Sequence, residues 1–367
     1  MYEALVASQN KNEATKAALL PLLPRYGISR VARLTGLDVS GVPVYSAVRP
    51  RATTLSVSAG KGFSETTAWI SAVMESVEAD AAEQFSRVAL RDEPARDLSL
   101  AYDVEDLPRR MMALVTAHTP LDWTKARDLA TGEWTYVPFL ACGLRGVVRR
   151  ARHQAAFVTS SNGVAAGFDV EAARRHALSE LIERHALASW LELGKSPFRF
   201  DADRYGSAVA DLIRRVKDDG LSVVTLCKEG IAGYWVAATY LTAPDMPQIF
   251  AGSAAACDVF EAVEKAVLEA FQSRTSVISG LRDDIRARDY SYRRASRPLD
   301  FERFPVLSES PVELRSELSV SEIVARISAE TSMPVLEVLL SNKADSIKVV
   351  QTIAPGLLPA ASVAMPN

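Results

Sequence analysis

The chain reads as α+β, and three observations predict this. Segments alternating β-branched and polar residues are interspersed with long stretches of helical period. No linker-like tract splits the 367 residues into halves. The composition, 48% hydrophobic and 24% charged, is that of a globular chain long enough to bury a large core, which excludes disordered and fibrous proteins. A net charge of −3 leaves no global basic field for bulk nucleic-acid or anionic-membrane binding. Cys142, Cys227 and Cys257 lie far apart without a CxxC, so neither a disulfide framework nor a zinc site is expected. No basic leader precedes a long apolar run, and no 18-residue apolar stretch occurs, so the expectation is a soluble, cytoplasmic protein.

Residues 1–25 read as a helical lead-in ending at Pro21 and Pro24. The alternation over 42–58 predicts two strands joined at Arg49-Pro50-Arg51. A helix follows from about Ser64 to Phe85. Residues 90–155 are punctuated by Pro94, Pro108 and Pro120, with Thr131-Gly132-Glu133 turning between short strands. A second helix runs from about Asp169 to Leu193, and strands are expected at 222–227, 234–241 and 248–252. A third helix covers about Asp258 to Ile278; a helix near 321–331 and strands near 334–340 and 347–353 complete the pattern.

One unit recurs. A small-residue loop precedes a helix at SAGKGF (58–63), SSNGVAAGF (160–168) and AGSAAAC (251–257). Each is followed by a helix cap, Ser64, Asp169 or Asp258, with Glu261 at capping-box spacing after the third. Eleven residues beyond each cap stands Glu75, Glu180 or Glu269, and three further Glu78, Glu183 or Gln272. Residues i and i+3 share a helix face, so each pair points one way. In the first helix Ser71, Glu75 and Glu78 form a narrow polar stripe on an otherwise apolar surface. A helix apolar nearly all round is buried, so that stripe faces something other than bulk water.

Buried carboxylates require a cation or a proton. Hard oxygen ligands without His or Cys favour Mg2+, which bridges carboxylates to phosphates. The pattern therefore points to a nucleotide-phosphate site built from helices. Against it stand ordinary i,i+4 pairs, Glu180 with Arg184 and Lys265 with Glu269, which a solvated face would also show. His176, four before Glu180, is read as a partly exposed helix histidine, and the Arg145, Arg149, Arg150, Arg152 cluster as a solvated loop. Gly60-Lys61-Gly62 lacks the following Ser/Thr and the upstream glycine of a Walker A loop, and neither a nucleophile elbow nor a dinucleotide fingerprint is found.

These motifs resemble the YcaO-domain family. S-A-G-K-G (58–62) with S-A-V-M-E-S-V-E (71–78) is similar to its first motif, and S-S-N-G-V-A-A-G (160–167) with S-E-L-I-E-R (179–184) to its second. E-A-F-Q-S-R (269–274) with S-G-L-R-D-D (279–284) resembles the third, and I-A-P-G-L (353–357) the closing segment. The opening R-V-A-R-L-T-G-L-D (30–38), the R-D-D and the P-G-L resemble the TfuA-associated branch. The resemblance implies a lead-in over 1–27, a single YcaO-like domain over 28–357 and a tail over 358–367. It implies mixed sheets with three long helices lining an ATP site. Glu75, Glu78, Glu180, Glu183 and Glu269 would hold Mg2+, with Ser71, Lys61, Asn162, Arg184, Lys265 and Gln272 around the nucleotide. No catalytic residue is assigned.

By the same resemblance the activity is phosphorylation of a backbone amide oxygen in a ribosomally made peptide, leading to a thioamide, azoline or amidine. Expected partners are the precursor peptide, a TfuA-like or leader-binding protein and a second copy of the chain, with no nucleic acid and no membrane. Phe168 and Ala172 depart from the second motif, and Lys265 replaces an expected arginine. The absence of a P-x-P-x-P end favours thioamidation over azoline formation. The rival is a degenerate subunit that binds peptide or partner without hydrolysing ATP, against which five retained acidic positions stand. A weaker third reading is a Mg2+-dependent phosphoryl-transfer enzyme on a small molecule.

Overall fold

A computed structural model of the chain describes residues 2–110, 113–144, 156–192, 196–204, 208–284, 290, 301–307 and 317–358. The arginine cluster at 145–152, His153 and residues 359–367 lie outside them. The described residues form an α+β fold of three antiparallel sheets and six α-helices. None of these helices is long and apolar enough to cross a membrane.

The lead-in is helix α1 (Tyr2–Leu19) followed by a 3-10 stretch to Tyr26. The first sheet is β1 (Arg30–Arg33), β2 (Val44–Val48) and β3 (Val57–Lys61), in that order. The second holds β4 (Leu90–Pro94), β5 (Pro120–Asp128), β6 (Trp134–Pro138) and β7 (Val164–Gly167), together with β12 (Leu336–Leu339) and β13 (Lys348–Ile353). Its order is β4-β5-β12-β13-β7, with β6 paired to β5 across the predicted Thr131-Gly132-Glu133 turn. The third sheet runs β11-β10-β9-β8, from β8 (Phe198–Phe200), β9 (Ser222–Glu229), β10 (Trp235–Ala243) and β11 (Met246–Ala256). The long helices are α2 (Glu65–Gln84), α3 (Val170–Glu192) and α5 (Val259–Ser279); α4 (Ala208–Asp218) and α6 (Val320–Thr331) are shorter.

The caps fall where the sequence puts them. Ser64 accepts from Thr67 N while the Thr67 hydroxyl reaches back, a full capping box. Asp169 accepts from Ala172 N, and Asp258 from Glu261 N. The Glu261 side chain does not close a third box; it pairs with Lys265 at 2.6 Å.

The first and third small-residue segments are largely strand rather than loop, supplying β3 to Lys61 and β11 to Ala256, whereas the second turns at 160–163 before supplying β7. The reason is helix contact. A Cβ added at Gly60 would lie 2.0 Å from Ala72 N of α2, and one at Gly252 would lie 2.3 Å from Ala270 N of α5. The small residues let a helix backbone lie directly on the strand preceding it. Each helix also packs against the strand of another unit: α2 on β7, α3 on β11, α5 on β3. The three strand–helix units therefore close into a ring. Beneath it lie apolar clusters that include the fully buried Trp123, Ile182 and Phe271. Cys142 and Cys227 are core residues and Cys257 is half-buried.

Candidate active site

Seven, eleven and fourteen residues beyond the caps stand Ser71, Glu75 and Glu78 on α2; His176, Glu180 and Glu183 on α3; and Lys265, Glu269 and Gln272 on α5. The i, i+4, i+7 spacing puts each trio on one helix face. All nine side chains line a single cavity of about 760 Å3 inside the ring. Residues fourteen beyond the cap bond to the neighbouring unit's strand. Ala166 N on β7 donates to Glu78 Oε1 at 2.9 Å. Ser253 Oγ on β11 donates to Glu183 Oε1 at 2.6 Å. Gln272 Nε2 donates to Ala59 O on β3 at 3.3 Å.

Among the sequence candidates, Lys61 joins the wall and donates to Glu269 at 2.8 Å. Arg184 stands 3.7 Å from Glu180 and 3.6 Å from Glu183. Asn162 is not among the lining residues, although Ser161 beside it is; Gln351 Nε2 donates to the Asn162 carbonyl at 3.5 Å. His176, read as a partly exposed helix histidine, is exposed, with 64% of its side chain accessible, and it also lines the cavity, with Nδ1 3.9 Å from Glu78. Sequence reasoning did not single out Ser179, Ser253 or Arg282. Arg282 sits in the wall, held by Asp284 at 2.6 Å, and its place in R-D-D just after α5 was the available signal.

The electrostatics are lopsided. Burial, opposed by Lys61 and reinforced by Glu269, raises Glu75 to about 7. Burial lifts Glu180 to about 8 against the pull of Arg184. Glu78 is pushed well up by burial, despite its bond from Ala166 N, and Glu183 is raised by burial too. Glu83 on the same α2 behaves oppositely. It is buried, yet bonds from Arg49, Thr54 and the Thr53 N–H hold its carboxyl below the usual range. One helix thus carries a satisfied carboxylate at its end and an under-compensated pair in the cavity. Lys61 is charged: burial pulls its pKa down, but Glu269 outweighs it. The surrounding wall, with Lys265 and Lys61, pulls His176 below the usual histidine range, although its side chain stays 64% exposed.

These shifts set a pH dependence. Glu75 and Glu180 keep protons when folded that the unfolded chain gives up near 4.5, so the stability they contribute is lost as pH rises toward 8. His176 acts the other way, but its effect is complete above 6.5. The ligand-free protein is therefore expected to melt higher at pH about 6.5 than at about 8.5. Glu180→Gln is expected to flatten that difference in a differential-scanning melt.

The cavity fits a magnesium–nucleotide complex. It offers hard oxygen donors lacking counter-charge, cationic Lys61, Arg184 and Arg282, and a buried Gln272 Oε1 without a hydrogen-bond partner among the described residues. Within those residues no three acidic, His or Cys side chains cluster tightly enough to cage a metal alone. Mg2+ takes one or two carboxylates together with substrate phosphates and water. Fold and site thus fit the class of proteins that bind a phosphate-bearing ligand together with a metal ion.

The comparisons narrow this class. Residues 59–358 match the family model for YcaO cyclodehydratase, ATP- and Mg2+-binding. An uncharacterized protein of Mycobacterium tuberculosis is 34% identical, over 94% of this chain and 81% of its own length. An uncharacterized protein encoded in the tfuA 3' region of Rhizobium leguminosarum bv. trifolii is 30% identical, over 94% of this chain and 86% of its own. Among solved structures, YcaO from Methanopyrus kandleri, bound with AMPPCP and Mg2+, superposes with a TM-score of 0.74 at 20% identity, covering 94% of this chain and 91% of that one. The chain belongs to the YcaO family, whose ligands are ATP and Mg2+ and whose chemistry is ATP-dependent peptide modification.

Proposed function

We propose that the chain activates a backbone amide of a ribosomally made peptide by ATP- and Mg2+-dependent phosphorylation of its oxygen, and that the modification is thioamidation with a TfuA-like partner. The observation that carries the chemistry is the ring of Glu75, Glu78, Glu180, Glu183 and Glu269 with Lys61 and Arg184 in one cavity. The relative from a tfuA 3' region supports the branch. When bound, ATP supplies a phosphoryl group and Mg2+ offsets its charge.

The chain's own residues divide the work. Of under-compensated Glu75 and Glu78 on α2 and Glu180 on α3, one or two would offer Mg2+ its carboxylate oxygens, beside phosphate and water. Lys61, Arg184 and Arg282 face phosphate, while Lys265 at the wall is free to leave Glu261 for the same purpose. Glu183 and Gln272 are braced by the neighbouring strands, which keeps the three helix faces in register. Neutral His176 presents a ring nitrogen to the cavity without adding positive charge. A homodimer in the cytoplasm completes the reading.

The test is a precursor peptide whose backbone carbonyls are labelled with heavy oxygen, incubated with protein, Mg2+, ATP and sulfide. Amide activation transfers the label to released phosphate, one label per thioamide formed. Unlabelled phosphate would mean simple hydrolysis, or transfer to a small molecule. Absence of Mg2+-dependent ATP binding by calorimetry, in folded protein, would favour the non-hydrolysing subunit.

A further inference from the structure

We propose that a second cavity, across α3 from the first, docks an acidic, extended segment of the peptide substrate; this rests on the peptide-modifying reading above. The cavity measures about 570 Å3 and opens between the residues just before β4 (Arg87, Val88 and Ala89), β5, β12 and the first turns of α3. Its origin is a gap in strand pairing. On one edge β5 pairs with β4 at Trp123, Leu121 and Pro120, and with β12 only at Asp128 and Arg127. Between those stretches Thr124, Lys125 and Ala126 have no strand partner on that edge among the described residues. β12 turns aside to continue along β13, and Arg87 bonds the Leu339 and Leu340 carbonyls at one end of the slot.

The slot is chemically one-sided. Arg87, Lys125, Arg127, Arg174 and Lys343 line it, against a single carboxylate, Glu337. Arg174 already clamps Glu337 through two bonds of 2.6 and 2.8 Å. Val88, Val170, Val338 and Leu339 supply an apolar surface, with Trp134 68% exposed at the rim. An unpaired strand edge accepts an added strand, whose main chain bonds the edge while alternate side chains reach the two faces. Here apolar surface and positive charge share the slot, so the matching segment carries both apolar and acidic residues. The gap separates strands that are direct neighbours two residues further on, so a single extended chain fits and a folded partner's surface does not.

Position ties the slot to the site. Val170 and Arg174 face the slot, whereas His176, Glu180 and Glu183 face the nucleotide cavity. From Arg174 to Glu180 is about 9 Å along the helix, and the helix body is about 10 Å across. An extended peptide rounding it needs roughly six to eight residues at about 3.3 Å each. The docked segment and the amide handled in the cavity can therefore belong to one short peptide.

Fluorescence anisotropy without ATP tests this, using a fluorescein-labelled decapeptide of alternating Glu and Leu. Binding that weakens with salt, falls about tenfold or more in the Lys125→Glu/Lys343→Glu variant and survives in Glu75→Ala is the expected result. Both lysines are exposed, and an unchanged melting temperature reports that the variant is folded. No binding, equal binding of a Lys-for-Glu peptide, equal binding by the double variant, or tighter binding of an oligouridine overturns the proposal. Loss of binding in Glu75→Ala overturns it as well, because the peptide would then occupy the nucleotide cavity. Failure of ATP binding with peptide docking intact would reject the catalytic reading and leave the slot standing.

Discussion

Glu75→Gln combined with Glu78→Gln is expected to lower Mg2+-dependent ATP turnover by about a hundredfold or more, without lowering the melting temperature of the ligand-free protein. Glutamine keeps the shape of each side chain, and at 78 it keeps an oxygen for the Ala166 N–H. Only charge is removed. In the ligand-free protein that charge is a burden, since burial raises both carboxyls and only Lys61 and the more distant Arg282 offset Glu75. In the proposed reading the same charge would hold Mg2+ against the phosphates. Function and stability should thus move in opposite directions. A residue with a merely structural role cannot produce that pattern, and Glu83→Gln supplies the contrast. Glu83 is fully bonded by Arg49, Thr53 and Thr54, so its neutral variant should lose stability and leave the ATP affinity of the folded fraction intact. Calorimetric titration of ATP with and without Mg2+, beside thermal melts, reads both. Wild-type binding in the double variant would remove the carboxylate cavity from the mechanism.

Much of this site was legible because its grammar is local. Ser64, Asp169 and Asp258 are caps through bonds spanning three residues, and a helix then fixes the direction of everything seven, eleven and fourteen positions on. Repeated offsets in the sequence became nine side chains around one cavity. What escaped depends on distant contacts. The small-residue segments look like loops until α2 and α5 lie on them. That exposed His176 also lines the cavity depends on the opposed α2, whose Glu78 lies 3.9 Å away. Asn162 belongs to the same turn as Ser161, but only one of them reaches the lining. The second slot exists because β4 and β12 share one edge of β5 incompletely, a matter of register between strands more than 200 residues apart.

Gly60→Ala is expected to cost about 3 kcal/mol or more of stability, the upper range for overpacking by one carbon, and to abolish ATP binding along with it. The added Cβ would stand 2.0 Å from Ala72 N and 2.4 Å from Ala68 O. Both atoms are helix backbone, so no side-chain rotation relieves the contact; α2 must lift off β3 as a body. Gly252 meets Ala270 N and Ala266 O of α5 at 2.3 and 2.4 Å, and alanine there should act alike. Gly132 is the control. It sits in a turn at φ +77°, and a Cβ there meets only the Arg127 guanidinium at 3.4 Å, so alanine should cost about 1 kcal/mol of backbone strain and spare the site. Denaturant titration ranks the three variants, and calorimetry reports the site. A Gly60→Ala midpoint equal to that of Gly132→Ala would mean that α2 does not rest on β3 at this distance. Because Glu75 and Glu78 follow Ala72 on the same helix, any lift of α2 also carries two of the five carboxylates away from the other three. The smallest residue in the first motif therefore sets the spacing on which its charged residues depend.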